Sequence, residues 1–485
     1  MHAMHAHEVV PQWHARLAGV LDRIPATFPV VNPATGLVIA QVSACGRQQA
    51  LLAIEAACCA ASPWRETTSG VRSTLLRKWA ARLVDDAGRV ATTVTLETGK
   101  PIGEARREVS DAIRAIECYA EQSRLTEVAA VTEHLGERRL EHRLRPIGPV
   151  AAITNWCQPV LTTVRRVAPA LAAGCPVILK PSSRAPLSAL TVASLWDAVG
   201  GPTGTLQVLT TDDSVTAADE FMADARIGMV SFIGGRDVGQ HLARKCADAC
   251  KDVLLEVDGQ MPFVVLADAD LERAADALVA VTFLRNAGQD CTSANRLYVD
   301  ERVAEHLVRA VVVRTAELRC GDSLDARTQV GPLVDSLTLN IIDEQIEDAV
   351  CDGARVVIGG RRLGGLYFAP TVIDHVRPGM RIVEDAHAGP LLPVLRFAET
   401  EEMVEMATST GRGRAAWIWS GDHVAARRLA TELGYDDVWI NDAGEAHADR
   451  AGSSVVWSET GEVARYVRSM MIASNLCAME TNRER

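Results

Sequence analysis

The sequence predicts an α/β protein built on parallel sheets. Three observations carry that prediction. The chain has 485 residues, 48% of them hydrophobic, enough to bury the cores of two or three domains. Short apolar runs alternate with helical patterns over 148–257, the rhythm of a parallel sheet with helices on both faces. A second α/β stretch follows from 262 onward.

The elements follow in order. Residues 68–125 carry apolar residues at helical spacing, punctuated by Gly99 and Pro101. LEHRLRPIG, 140–148, reads as an extended hairpin arm. PVAAITNW is a strand, RRVAPALAAG a helix ending at Gly174, PVILKPS a strand, and PLSALTVASLWDAVG a helix. TLQVLT and IGMVSFIGG are strands, the second ending in Gly-Gly. RDVGQHLARKCADA is a helix and VLLEV a strand. Sheets of this kind bind ligands at the carboxyl ends of their strands. In the second stretch PFVVLADADLERAADALVAVTF reads as strand, then Asp270 as an N-cap, then helix. The pattern continues through RLYVD, RVAEHLVRAVVVRTAEL and DEQIEDAVCDGARVVIGG to DDVWIND. GEVARYVRSMMIASN reads as helix then strand.

Composition excludes several functions. The net charge is −12 with Lys and Arg dispersed, which argues against nucleic-acid binding and against a basic membrane-surface role. No apolar run approaches the roughly 20 residues of a membrane-spanning helix. MHAMHAHEVV lacks a basic start and an apolar signal core, so a cytoplasmic location is expected. The 12 Cys form no disulfide or zinc pattern and read as free thiols. His2, His5, His7 and His14 read as an untethered terminus rather than a metal site.

Two stretches carry chemistry. In NAGQDCTSANRLYV, 286–299, Cys291 sits in a Gly-Gln turn between helix and strand, a place suited to an exposed nucleophile. In LLEVDG, 254–259, Glu256 ends an apolar strand, where desolvation suits a general base. By spacing alone, a packed Cys and a structural strand-end Glu are at least as good readings.

From about residue 30 onward the chain resembles the aldehyde dehydrogenase superfamily. NPATGLVIAQV is similar to its opening hairpin and LETGKPIGEARREV to its signature helix. RPIGPVAAITNW and VAPALAAGCPVILKPSSRAPLSA are similar to its first cofactor-binding strands, and VSFIGGRDVG to its phosphate turn. LLEVDGQMPFVVLADADLERA and NAGQDCTSANRLYV are similar to the general-base strand and the nucleophile loop. GARVVIGG, FAPTVIDHV, GPLLPVLRF and VWIN follow in family order.

The resemblance implies a fold and a reaction. The fold is a Rossmann-type cofactor domain (1–133 and 149–257), a second α/β catalytic domain (258–445) and a small oligomerisation arm (134–148 and 446–485), assembling as a homodimer or homotetramer. The reaction is NAD- or NADP-dependent oxidation of an aldehyde through a thiohemiacetal and a thioester. Cys291 matches the nucleophile and Glu256 the base that activates water. Asn286 and Gln289 match the framework of the nucleophile loop. Lys180 and Ser182, in KPS, match the adenosine-ribose site, and Gly234 a turn beside the pyrophosphate.

The sequence departs from the family around the cofactor and the oxyanion. NWCQP stands where the family has PWNFP, so Cys157 replaces an oxyanion-binding amide, a change worth about 10²–10³ in rate. A thiol is a weak donor. Gly235 replaces a phosphate-binding Ser, and Asp258 replaces a Gly near the nicotinamide. Ser183 replaces a Glu that bonds the adenosine ribose, which favours a 2′-phosphate. Ala386 and Ala388 replace a ribose-binding Glu and a Phe, and the family's last motifs are unrecognisable in DRAGSSVVWSETG. Alongside the dehydrogenase reading stand two others: a cofactor-independent Cys/Glu enzyme acting on acyl or carbonyl substrates, and a non-catalytic subunit. Cys157 and Cys291 are also expected to face one cleft, where they either fill space or form a reversible disulfide.

Overall fold

The computed structural model describes residues 12–18, 26–125, 131–135, 138–385, 389–409, 411, 413–444 and 471–479. His2, His5 and His7, Ala386 and Ala388, DRAGSSVVWSETG and the helical part of the tail pattern lie outside these residues.

Five parallel strands form the first sheet, in the order Asp252–Val257, Met229–Gly234, Val150–Ile153, Val177–Lys180 and Leu206–Val208. Val150–Ile153 and Val177–Lys180 are buried along their whole length, as continuous apolar runs between helical layers should be. The helices Pro159–Ala173, Pro186–Ala198 and Arg236–Asp248 fall where the apolar periodicity places them. Ser214–Ala223 is a further helix that the sequence pattern did not single out. Its N-cap is Asp213, whose side chain accepts from Thr216 N at 3.1 Å.

The second sheet has seven strands, in the order Arg355–Ile358, Thr371–Val376, Leu391–Phe397, Arg296–Asp300, Pro262–Val265, Ala415–Trp419 and Asp437–Ile440. All neighbours are parallel except the first pair. Asp270 caps the helix Leu271–Phe283 as its position suggests, accepting from Arg273 N at 3.2 Å. A third, antiparallel sheet joins Val131–Leu135, Arg138–Pro146 and Met471–Met479. Among the described residues no helix is long and apolar enough to cross a membrane.

The segment 68–125 forms three helices, Ser69–Asp85, Ala87–Thr98 and Ile102–Leu125. Gly99 ends the second with φ 77°, and a Cβ there would lie 2.7 Å from Pro332. Two carboxylates from this segment cap helices far away in sequence. Pro159–Ala173 and Pro186–Ala198 both begin with Pro and have no local side-chain cap. Glu108 Oε1 accepts from Val160 N (2.8 Å) and Leu161 N (3.2 Å). Glu97 accepts from Leu187 N and Ser188 N, both at 2.8 Å. These contacts satisfy backbone donors that would otherwise be buried without partners. Lys100 Nζ closes on Glu108 Oε2 at 2.5 Å in a fully buried ion pair.

Candidate active site

A cleft of about 530 Å³ opens at the carboxyl ends of the first sheet. Four of its strands each feed residues into it. Val150–Ile153 leads to Asn155 and Cys157, Val177–Lys180 to Ser182 and Ser183, Met229–Gly234 to Gly235, and Asp252–Val257 to Asp258 and Gly259. The opposite wall comes from the turn before the strand Arg296–Asp300 and includes Gln289, Asp290 and Cys291. The structure therefore brings together Cys291, Cys157, Lys180, Ser182, Ser183, Gly234, Gly235 and Asp258. Glu256 stands apart from the lining, and Ala386 lies outside the described residues.

The turn that presents Cys291 is strained and heavily tied. Asn286 and Ala287 have φ 52° and 54°, unusual for residues with a Cβ. At Gly288, φ 72°, a Cβ would lie 2.1 Å from Gly389 O, so only glycine fits. Asn286 N donates to Glu104 Oε2 at 2.6 Å. Gln289 donates to the carbonyls of Asn286 (3.0 Å) and Pro332 (3.2 Å) and accepts from Val334 N at 2.9 Å. Burial pushes the Glu104 carboxyl up to about 8. Arg285 donates to Thr292 O at 2.6 Å and to Ala443 O at 3.2 Å, and its guanidinium lies over the Trp417 ring. These bonds fix the nucleophile loop before any ligand arrives.

The Cys291 and Cys157 thiols line the same cleft and act on each other, and neither is in a disulfide. The interaction with Cys157, then burial, then the charges of Asp290 and Asp258 hold the Cys291 thiol well above the usual thiol range. The thiol is therefore protonated at neutral pH, and it could attack a carbonyl only with a proton acceptor at hand.

Two carboxylates belong to the strand Asp252–Val257 and the turn after it. Glu256 is enclosed by arginines. Arg166 NH2 pairs with its Oε2, and Arg414 NH1 meets its Oε1 at 2.9 Å. Arg414 in turn bonds Asp437 at 2.8 Å. Asp258 faces the cleft instead. Burial, then the charges of Asp290 and Glu256, push its carboxyl up to about 6, against an opposing pull from Arg236. The arginine pairs were not legible in the sequence, because Arg166 and Arg414 lie 90 and 158 residues from Glu256.

The residues facing the cleft fit a dinucleotide. Gly235 is the N-cap of the helix Arg236–Asp248 and has no side chain over that helix end, which suits a pyrophosphate. A Cβ at Gly235 would meet nothing within 4 Å. Burial brings the Lys180 ammonium down to about 8, and it has a contact with Pro181 O at 3.4 Å. Thr154 Oγ1 and Asn155 Oδ1, both in the lining, are buried without a hydrogen-bond partner among the described residues, as polar atoms awaiting a ligand would be.

A cofactor-type cleft at the strand ends, facing a thiol on a rigid turn, fits a dehydrogenase. Residues 22–461 match the aldehyde dehydrogenase family, and the chain belongs to it. It is similar to the probable NADP+-dependent succinate-semialdehyde dehydrogenase of Sinorhizobium fredii, with 37% identity over 88% of this chain and 87% of that protein. It is 35% identical to the 3-sulfolactaldehyde dehydrogenase of Pseudomonas putida, over 91% of each chain. Among solved structures, the succinate-semialdehyde dehydrogenase of Burkholderia pseudomallei superimposes with a TM-score of 0.89 at 33% identity, covering 96% of this chain and 97% of that one. The protein is thus an aldehyde dehydrogenase-like oxidoreductase with the fold the sequence predicts.

Proposed function

We propose that the protein oxidises an aldehyde bearing a second, anionic group, with NADP+ preferred over NAD+. The observation that carries the reading is the meeting of Cys291 with the residues of the dinucleotide-type cleft at the ends of four parallel strands. Cys291 Sγ attacks the aldehyde carbon, and the cofactor, when bound, supplies the hydride acceptor. Water then hydrolyses the thioester on Cys291. The backbone N–H of Cys291 and the Cys157 thiol are the donors assigned to the oxyanion. Lys180 and Ser182 hold the adenosine ribose, and the helix end at Gly235 receives the pyrophosphate.

Two features support the finer choices. Ser183 puts a neutral hydroxyl, and no carboxylate, at the ribose edge, which leaves room for a 2′-phosphate. The relatives from Sinorhizobium fredii and Pseudomonas putida are named for aldehydes that carry a carboxylate or a sulfonate. The antiparallel sheet that Arg138–Pro146 forms with Met471–Met479 is assigned to dimer formation, giving a homodimer or homotetramer.

The test compares succinate semialdehyde, glutarate semialdehyde, butanal and pentanal with each cofactor. The anionic aldehydes should show kcat/KM higher by about tenfold or more, with NADP+ preferred and turnover abolished by Cys291→Ala. Equal rates with neutral aldehydes would remove the anionic-substrate assignment. No reduced cofactor from any of them would remove the dehydrogenase reading.

A further inference from the structure

We infer that Asp258, rather than Glu256, is the proton acceptor for thioester hydrolysis in this protein. The inference rests on the Cys291 thioester proposed above.

The two carboxylates are two residues apart, yet their surroundings are opposite. Both Glu256 oxygens are engaged by guanidinium groups, one from Arg166 and one from Arg414. The Arg166 side chain is 1% exposed, so its charge has no ready access to water if the pair breaks. Protonating Glu256 would give up two charge-assisted hydrogen bonds, one of them to the buried Arg166, while Arg414 would keep its bond to Asp437. Swinging Glu256 toward the thiol would do the same. Glu256 is therefore a structural counter-ion.

Asp258 has the properties a base needs. It lines the cleft that contains Cys291, and the two groups interact electrostatically. Its backbone is fixed on both sides. Asp258 N donates to Gly234 O at 3.1 Å, and Asn295 Nδ2 donates to Gly259 O at 3.1 Å. Asn295 follows Cys291 by four residues, so this bond ties the base-bearing turn to the nucleophile loop. The charged and titratable groups acting on Asp258 are Asp290 and Glu256, which favour its proton, Arg236, which opposes it, and the Cys291 thiol. A carboxyl brought to about 6 is still ionised at neutral pH and is a stronger base than an ordinary aspartate.

The step balances without a further reagent. The water oxygen bonds to the thioester carbon as one water proton passes to an Asp258 carboxylate oxygen. The tetrahedral centre collapses with cleavage of the C–S bond. The proton returns from Asp258 to the departing Cys291 sulfur, leaving the acid and a free thiol.

The test uses p-nitrophenyl acetate, which acylates a thiol without any redox step, on the full chain. Wild type, Asp258→Asn, Glu256→Gln and Cys291→Ala are compared by stopped-flow absorbance, by mass spectrometry of the Cys291 peptide and by thermal melting. We expect Asp258→Asn to release one nitrophenolate per chain in a burst. Steady turnover should then fall about 100-fold or more, with the acetyl group persisting on Cys291. Wild-type deacylation should lose rate as pH falls through about 6, and the variant should lack that limb. Glu256→Gln should melt lower yet accumulate no acetyl-enzyme. Acetyl-enzyme accumulating in folded Glu256→Gln, or Asp258→Asn deacylating at the wild-type rate, would overturn the inference. Wild type that shows no Cys291-dependent burst would overturn it together with the nucleophile assignment. Wild type that turns over the ester through Asp258 but reduces no cofactor with any aldehyde would sustain the inference and overturn the dehydrogenase reading alone.

Discussion

The thiols of Cys291 and Cys157 face one cleft, and their interaction is the largest influence keeping the Cys291 proton in place. Cys157→Ala removes it and should lower the Cys291 pKa. Alkylation by iodoacetamide, followed at the Cys291 peptide, should then accelerate at pH 7.5 and shift its profile to lower pH. An unmoved profile would show that the two thiols do not meet in solution.

Restoring an amide at the same place should help the chemistry. Cys157→Asn supplies a stronger donor beside the reacting carbon, and one such donor is worth up to about 10²–10³ in rate. Steady-state kcat with succinate semialdehyde should rise. A fall in kcat with unchanged folding would mean that the thiol has a role of its own.

Cofactor choice should respond to Ser183. Ser183→Glu places a carboxylate at the ribose edge, where it repels a 2′-phosphate. Isothermal calorimetry should show NADP+ affinity reduced about tenfold or more, with NAD+ affected less. Equal losses for both would place the 2′-phosphate elsewhere.

Asp258 should leave a mark on stability as well as on rate. Its folded pKa, about 6, lies above the ordinary aspartate value of 3.8. The folded protein therefore binds this proton more tightly than the unfolded chain. Its contribution is fully present below pH 3.8 and is lost as pH rises through 6, a loss of about 3 kcal/mol. Asp258→Asn should melt higher than wild type at pH 8, with the gain shrinking toward pH 4. A gain that does not depend on pH would separate the effect from this ionisation.

The buried pair Lys100–Glu108 should matter more than surface pairs. Glu108→Ala strips a counter-ion from Lys100 and removes the acceptor for Val160 N and Leu161 N. A loss of about 3–5 kcal/mol is expected in urea unfolding. A loss below about 1 kcal/mol would mean that water replaces both roles.

Much of this site could be read from the chain because it is local. Gly174 and Asp270 mark helix ends by backbone chemistry that needs no distant partner. Cys291, Lys180 and Gly234 sit in short motifs whose spacing survives. The helix Ser214–Ala223 is less legible because it is short and half of its buried face is the small pair Ala217 and Ala218. The arginines around Glu256 are illegible for a different reason. A guanidinium reaching a carboxylate from another strand or helix leaves no periodic trace, and only the folded chain brings the three together.

The pairing of Met471–Met479 with Arg138–Pro146 has a consequence for synthesis on the ribosome. Arg138–Pro146 leaves the exit tunnel together with its neighbour Val131–Leu135, but the strand that pairs with its other edge follows more than 300 residues later. Throughout that interval the nascent protein presents a bare strand edge, a template for the same arm of a neighbour on the same messenger. Closure of that edge waits on the arrival of Met471–Met479.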